Sequence, residues 1–169
     1  MERNAKGFAW VAAALLLTGT LAQAQDLVRE ARYADITVGN SVATILQIGA
    51  YNNARVDQSG ARLNQAVSQT GIRNQAVVKQ SGVNNAVTAQ QNGTANTAQV
   101  SQSGTNNQAG VTQHGTDNAA SVVQTGAYNQ AFVGQYGQAN QASVTQAGFG
   151  GAVSIKQFGD NMKASATQR

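Results

Sequence analysis

Apolar and polar side chains alternate in short stretches that recur from about residue 40 onward. In the stretch NNARVDQ, residues 52–58, the side chains of Ala54 and Val56 point to one side of an extended chain, and those of Arg55 and Asp57 to the other. In later stretches the first set stays nearly constant, whereas the second varies among Ser, Thr, Gln, Lys, Arg and Asp. This pattern predicts β-strands with one buried face and one face in water.

The stretches belong to an eleven-residue repeat, Q-x-G-x-x-N-x-A-x-V-x, that is closed by the next glutamine. Glutamine recurs at Gln47, Gln58, Gln69, Gln80, Gln91, Gln102, Gln113, Gln124, Gln135, Gln146, Gln157 and Gln168. Glycine follows two residues later at Gly49, Gly60, Gly71, Gly82, Gly93, Gly104, Gly115, Gly126, Gly137, Gly148 and Gly159. Asparagine follows five residues after the glutamine at Asn52, Asn74, Asn85, Asn96, Asn107, Asn118, Asn129 and Asn140. Because glycine adopts a positive φ without steric cost, each unit is predicted to be a strand followed by a tight turn at the glycine.

A unit this small cannot bury its apolar face alone and needs similar units above and below it. Two units make one closed rung of two strands and two turns, so the sequence predicts an all-β fold, a β-solenoid of about six 22-residue rungs. Rungs about 4.8 Å apart in two facing parallel sheets about 10 Å apart leave a gap that Ala and Val can fill. Gln then lies over Gln and Asn over Asn, which predicts amide ladders of the cross-β type along the stack.

Some units depart from the repeat and are expected to weaken these ladders in the second and last rungs. Leu63 occupies an asparagine position, with Asn64 beside it. Gly151 and Met162 replace asparagine near the C-terminus. Upstream, NSVATILQ (40–47) fits the strand half of a unit, with Ala43 and Ile45 pointing inward.

Composition and charge exclude several classes of function. Only 11% of residues are charged and the net charge is +4, which is too sparse for a nucleic-acid groove. The few acidic residues are scattered, so no set of convergent carboxylates indicates an enzyme. His114 is the sole histidine and follows Gln113 at a predicted turn, and a metal site needs several ligands. We therefore expect no catalytic activity, cofactor, metal or small-molecule substrate.

The N-terminus has the features of a secretory signal peptide at residues 1–24. Arg3 and Lys6 precede the apolar run FAWVAAALLLTGTLA, and AQA at 22–24 has the small-x-small form of a cleavage site. Cleavage there would leave a chain that begins at Gln25. Residues 25–35 lack the repeat and are expected to form a flexible segment with a candidate secretion-targeting role, ahead of the repeat domain at 36–169.

The repeat favours self-assembly over ligand recognition. Gln168 and Arg169 lie directly on the last predicted strand, so an open strand edge is expected there, to which a second molecule can add. The rival class is a soluble solenoid that binds a ligand, such as an ice-binding or adhesive module. That class favours a regular outward array, and the outward residues of two neighbouring strands read Thr, Gln, Ser (97, 99, 101) and then Gln, Gly, Thr (108, 110, 112).

The repeated Q-x-G-x-x-N-x-A-x-x-x-Q of residues 36–168 resembles the curlin repeat of bacterial curli, the secreted functional amyloids of biofilm matrix. The resemblance implies export through an outer-membrane channel and assembly with accessory factors into an extracellular fimbrium, or pilus-like fibre, that serves cell adhesion. It also implies two kinds of subunit, a major fibre former and a minor nucleator.

The sequence is most similar to the minor nucleator of that family. The similarity rests on the ending ASATQR, on the disturbed unit GARLNQAVSQ, and on the basic residues Lys156, Lys163 and Arg169 of the last rung, a candidate attachment or nucleation face. A charge cluster of this kind is equally typical of a solvated end or of a gatekeeper against aggregation. We expect a nucleator whose partners are other copies of itself and a major subunit, with the major subunit as the alternative identity.

Overall fold

The computed structural model describes the backbone of residues 11–13, 31–38 and 40–169 and the side chains of residues 40–169. The elements it contains are strands: β1 Val11–Ala13, β2 Ala31–Val38, β3 Ser41–Ala50, β4 Asn53–Ala61, β5 Asn64–Ile72, β6 Gln75–Val83, β7 Ala86–Thr94, β8 Thr97–Thr105, β9 Gln108–Thr116, β10 Ala119–Ala127, β11 Gln130–Gln138, β12 Gln141–Phe149, β13 Ala152–Phe158 and β14 Lys163–Gln168. In the described part of the chain, no helix has the length and apolar character needed to span a membrane.

The strands are arranged in two seven-stranded sheets. Sheet I has the order β1, β4, β6, β8, β10, β12, β14, and sheet II has the order β2, β3, β5, β7, β9, β11, β13. From β3 onward, successive strands alternate between the sheets, so each consecutive pair makes one rung. Rung 1 is β3 with β4, rung 2 is β5 with β6, and so on to rung 6, β13 with β14. This confirms the predicted all-β solenoid of about six 22-residue rungs.

The pairing between rungs is parallel and keeps like residues beside each other. In sheet I, Val100 lies beside Val122 and Gln102 beside Gln124, a separation of 22 residues in the chain. The inward Ala and Val side chains of both sheets form one buried core along the stack. Ala43 and Ile45 of rung 1 belong to that core, as the sequence predicted.

The chain reverses direction at one left-handed residue in each turn, four positions after the glutamine. These residues are Tyr51, Arg62, Arg73, Asn84, Ala95, Asn106, Asp117, Tyr128, Ala139, Gly150 and Asn161, with φ between 55° and 71°. The turns also stack, because each turn backbone bonds to its neighbour one rung away; the amide of Arg73, for instance, donates to the carbonyl of Ala50 at 3.0 Å.

The glycines that the sequence placed at the turns lie at the strand ends instead, two residues before the point of reversal. Gly104 is the second-to-last residue of β8, with a φ of 119°. A Cβ atom built on Gly104 would overlap the carbonyl oxygen of Gly126 in the rung below. Glycine is therefore required both by its φ and by the close approach of adjacent rungs.

The N-terminal strands run antiparallel to the repeat. β2 pairs with β3 over eight residues, from Ala31 opposite Ile48 to Val38 opposite Ser41, and β1 pairs with β4. Residues 31–35, which the sequence analysis placed in a flexible segment, thus belong to β2, because the first rung offers backbone groups with which a neighbouring segment can pair. Apart from β1, the predicted signal peptide lies outside the described residues, as do residues 25–30, and both stay predictions.

Candidate self-assembly site

A ladder of glutamine amides runs through all six rungs of sheet II. Its members are Gln47, Gln69, Gln91, Gln113, Gln135 and Gln157. Each Nε2 donates to the Oε1 of the glutamine one rung further toward the C-terminus, at 2.7–2.8 Å. The amide also joins the two sheets, since Nε2 of Gln69 donates to the carbonyl of Asn53 in sheet I at 3.0 Å. The ladder therefore ties each rung to the next and one sheet to the other.

The corresponding ladder of sheet I is complete only from rung 2 onward. Gln80 donates to Gln102 at 2.7 Å, and the bonds continue to Gln124, Gln146 and Gln168. The last bond, to the exposed Gln168, is longer, at 3.2 Å. In rung 1, Gln58 donates to the carbonyl of Val42, and the buried Oε1 of Gln80 has no partner in the described structure.

The asparagines form two columns, one at each row of turns. Asn52, Asn74, Asn96, Asn118 and Asn140 make the first column, and Asn85, Asn107 and Asn129 make the second. Asn96 is typical: its Nδ2 donates to the carbonyl of Asn92 in its own turn and to that of Gly115 in the next rung, at 2.9 Å. Its Oδ1 accepts the backbone amide of Asn118 at 3.2 Å. Each asparagine thus shapes one turn and fastens it to the next.

Both asparagine columns stop short of the C-terminal rung, where the sequence predicted a weakening. Gly151 and Met162 stand at the next positions, and only their backbone amides reach the Oδ1 atoms of Asn129 and Asn140. At the other end of the second column, Leu63 is fully buried in place of an asparagine. The glutamine ladders alone continue to the last strands.

Gln65 is a feature of rung 2 that the repeat pattern did not predict. It lies in the core column between Ala43 and Val87 and is fully buried, and neither amide atom has a hydrogen-bond partner among the described residues. The signal was present in the sequence, because Gln65 stands seven residues after Gln58, at the position that is usually alanine. A buried amide without partners destabilises its surroundings, so rung 2 is a weak point of the stack.

Aromatic rings form a further column, on the outer face of sheet II. His114, Tyr136 and Phe158 stack nearly parallel, with centroids 5.5 and 4.9 Å apart. His114 was predicted at a turn, but it belongs to the end of β9, and Tyr136 and Phe158 belong to the ends of β11 and β13. Tyr136 and Phe158 stay partly exposed, at 37% and 68%, so rungs 4 to 6 carry an aromatic stripe on one face.

The three candidate attachment residues do not share one face. Lys156 lies on the outer face of sheet II, whereas Lys163 begins β14 of sheet I and Arg169 follows its end. All three side chains are exposed. They surround the last rung rather than forming a patch. Within residues 40–169, no three His, Cys, Asp or Glu side chains lie close enough together to hold a metal ion.

A proline-free β-solenoid with buried amide ladders along its axis has the architecture of a cross-β, amyloid-like protein. Comparison with known families agrees with this class. Three overlapping segments, residues 82–115, 93–126 and 115–148, match the family model of the curlin-associated repeat. They extend from the end of rung 2 through rung 5, and they support the curlin repeat family. No curated protein matches the chain significantly.

Proposed function

We propose that this protein is a secreted structural subunit of a curli-type extracellular amyloid fibre, acting in adhesion and biofilm matrix. The curlin-associated repeats of residues 82–148 support a subunit of this type. The proposal includes export, a location on the outer cell surface, and growth of the fibre by addition of further chains.

The observation that carries the proposal is the continuity of the glutamine ladder up to the end of the stack. Gln157 is the last member of the sheet II ladder, where its Oε1 accepts from Gln135, and it lies in β13, the outermost strand of its sheet. If a second copy continues the 22-residue register, its Gln47 is the next acceptor and its β3 and β4 extend sheets II and I. In the part of the chain that the structure describes, no strand covers the outer edges of β13 and β14. A ladder gains strength with length, so addition of a like chain is favourable.

We further propose that the subunit is the minor nucleator, with a major subunit as its main partner and with the outer-membrane channel and surface factors as accessory partners. The departures from the repeat at Leu63, Gly151 and Met162 support this role, because they lie at the ends of the stack, where a nucleator differs from the fibre that it starts. The cations around rung 6 suit contact with an anionic cell surface. The alternative within the same class is the major subunit.

The test of fibre formation is thioflavin fluorescence of the purified chain that begins at Gln25, with and without its own sonicated product. A lag that seeds abolish is the expected result, because each seed supplies ready strand edges. Gly104→Ala, which places a methyl group against the next rung, is the matched variant that should neither seed nor be seeded.

The nucleator role is tested by adding a small proportion of this chain to a major-type subunit. We expect it to shorten the lag of that subunit more strongly than equal amounts of the subunit's own monomer do. Equal effects would favour the major-subunit role. Attachment is tested by retention of the chain on cells: the pair Lys163→Ala and Arg169→Ala should reduce it, whereas Lys79→Ala, an exposed cation of rung 2, should not.

A soluble binding solenoid is the second candidate, and one observation favours it. The register aligns Ser59, Ser81, Ser103 and Thr125 in a column on the outer face of sheet I, with one hydroxyl group per rung. A flat fluorescence trace from a folded, β-rich monomer would favour this candidate and contradict the fibre.

A further inference from the structure

The two ends of the stack differ in how their strand edges are occupied. At the C-terminal end, β13 and β14 continue the parallel register of the repeat and are the outermost strands. At the N-terminal end, the edge of β3 is covered along eight residues by the antiparallel strand β2. The shorter β1 covers three residues of β4 and belongs to the predicted signal peptide, so the predicted cleavage after Ala24 removes β1 and leaves β2.

The register of β2 ends the glutamine ladder rather than extending it. Arg32 lies opposite Gln47, and Ala34 lies opposite Ile45. A second copy that continued the repeat would instead place Gln157 next to Gln47. The backbone groups on the edge of β3 can pair with one strand at a time, so β2 and a second copy compete for the same edge.

The direction of the ladder requires that copies join head to tail. In sheet II each glutamine donates toward the C-terminal end, so that end presents a donor and the N-terminal end an acceptor. Every junction between two copies therefore joins the C-terminal edge of one chain to the N-terminal edge of another. Whichever end of a fibre grows, one β2 must leave one β3 for each molecule added.

We propose that the edge of β3 is the docking surface for the C-terminal edge of a second copy, and that β2 is an internal competitor that slows assembly. This inference rests on the proposed function, since it concerns the growth of the same fibre. A molecule whose docking edge is free only part of the time adds at a rate reduced by that fraction.

The experiment measures the elongation of sonicated seeds. The variant replaces the wild-type chain either in the monomer alone or in the seed alone. One variant lacks residues 31–38, and a second, Ala34→Pro, keeps the length but puts a residue that cannot donate a hydrogen bond into the middle of β2. Leu27→Pro, upstream of β2, is the matched control.

Release of β2 should raise the elongation rate about tenfold if the free edge is populated at about one tenth. The increase should appear with variant monomers on wild-type seeds for growth at either end, because every junction after the first then uses a β3 without β2. Wild-type monomers on variant seeds should show at most a faster first addition, and that only if the N-terminal end grows. A synthetic peptide of residues 31–38 should slow the deletion variant again, and Leu27→Pro should elongate like the wild type.

Unchanged elongation in both exchanges would overturn the inference while leaving fibre formation intact. Wild-type chain that no seed can elongate would instead contradict the proposed function itself. Hydrogen exchange gives an independent check, because the amides of residues 31–38 should be protected in the free chain and lose protection in the fibre. Amides that are unprotected in the free chain would also overturn the inference.

Discussion

The central rungs, 3 to 5, and the outer rungs, 1, 2 and 6, are built from the same repeat but differ in how fully their amides are paired. In the centre, Gln113 and Asn118 are buried and hydrogen-bonded to the rungs on both sides. In rung 2, Gln65 is buried without a hydrogen-bond partner in the described part of the chain, and in rung 6 Met162 replaces asparagine. The segments that match the curlin-associated repeat extend from the end of rung 2 through the central rungs.

The difference shows that hydrogen bonding of the amides in this fold depends on the neighbouring rungs and not on the single unit. An amide inside the stack has a like amide above and below, so burial and hydrogen bonding support each other. An amide at an end lacks one neighbour until another chain supplies it. Variants that act differently in the centre and at the ends therefore test the comparison directly.

The largest effect is expected from Gly104→Ala in the centre, compared with Gly159→Ala in the last rung. Both glycines have φ above 100°, but a Cβ on Gly104 overlaps the carbonyl of Gly126, whereas the nearest atom to a Cβ on Gly159, Sδ of Met162, lies 3.7 Å away. We expect Gly104→Ala to cost more than about 3 kcal/mol of unfolding free energy and Gly159→Ala about 1–2 kcal/mol from backbone strain. Guanidinium unfolding of the unassembled chain, followed by circular dichroism, measures both.

The same pair of variants distinguishes the stability of the single chain from the addition of further chains to a fibre. In a continued register, Gly49 of a second copy would lie next to Gly159, so Gly159→Ala should slow seeded growth much more than its stability loss suggests. Equal losses of stability for the two variants would contradict the close approach of rungs in the centre.

Gln91→Ala should have the next largest effect. The substitution removes a side chain that accepts from Gln69 at 2.7 Å and donates to Gln113 at 2.8 Å, and it leaves buried partners unpaired. The expected cost is about 2–4 kcal/mol of unfolding free energy. Two controls should each change the unfolding free energy by less than about 0.5 kcal/mol. They are Gln168→Ala, at the exposed end of the sheet I ladder, and Gln90→Ala, the exposed neighbour of Gln91 in β7. A loss as large for Gln90→Ala would show that the ladder is not the cause.

Gln65→Leu should stabilise the chain. Leucine has a similar size and removes the unpartnered amide of rung 2, so the unfolding free energy should rise by about 1–3 kcal/mol. Ala109→Gln, which puts an amide into the same core column in rung 4, should lower it. Gln90→Leu controls for added surface hydrophobicity. A destabilised Gln65→Leu would mean that the amide has a partner in solution.

Met162→Asn should have the smallest effect. It extends the first asparagine column into rung 6, next to Asn140, but Met162 is 40% exposed, so the gain should be below about 1 kcal/mol. Met162→Gln places the same amide one methylene further from the backbone, so it should not raise the unfolding free energy. If both variants behave alike, the position is too exposed for the column to matter.

The fold and most of the ladder were predictable because the same pattern of residues recurs in nearly every unit. A period of eleven residues with inward Ala and Val predicts strands, and two strands per rung place Gln102 beside Gln124. The interruptions at Leu63 and Met162 were visible for the same reason, as departures from a regular pattern. The role of these residues in assembly stays a prediction until seeding is measured.

Other features could not be predicted, because they depend on distances between rungs. The stacking of His114 on Tyr136 and the break in the sheet I ladder between Gln58 and Gln80 arise from side-chain conformations that adjacent rungs select together. The antiparallel pairing of β2 with β3 lacks any repeat signal, since residues 31–38 do not share the period.

The sequence by itself determined the class of fold, the number of rungs and which side chains face inward, because strand periodicity and repeat length are local properties. Tertiary structure alone decided the direction of each amide ladder, the need for glycine at close backbone contacts and the covering of the first edge. These depend on which groups meet across rungs, and a backbone edge takes whichever strand pairs with it best.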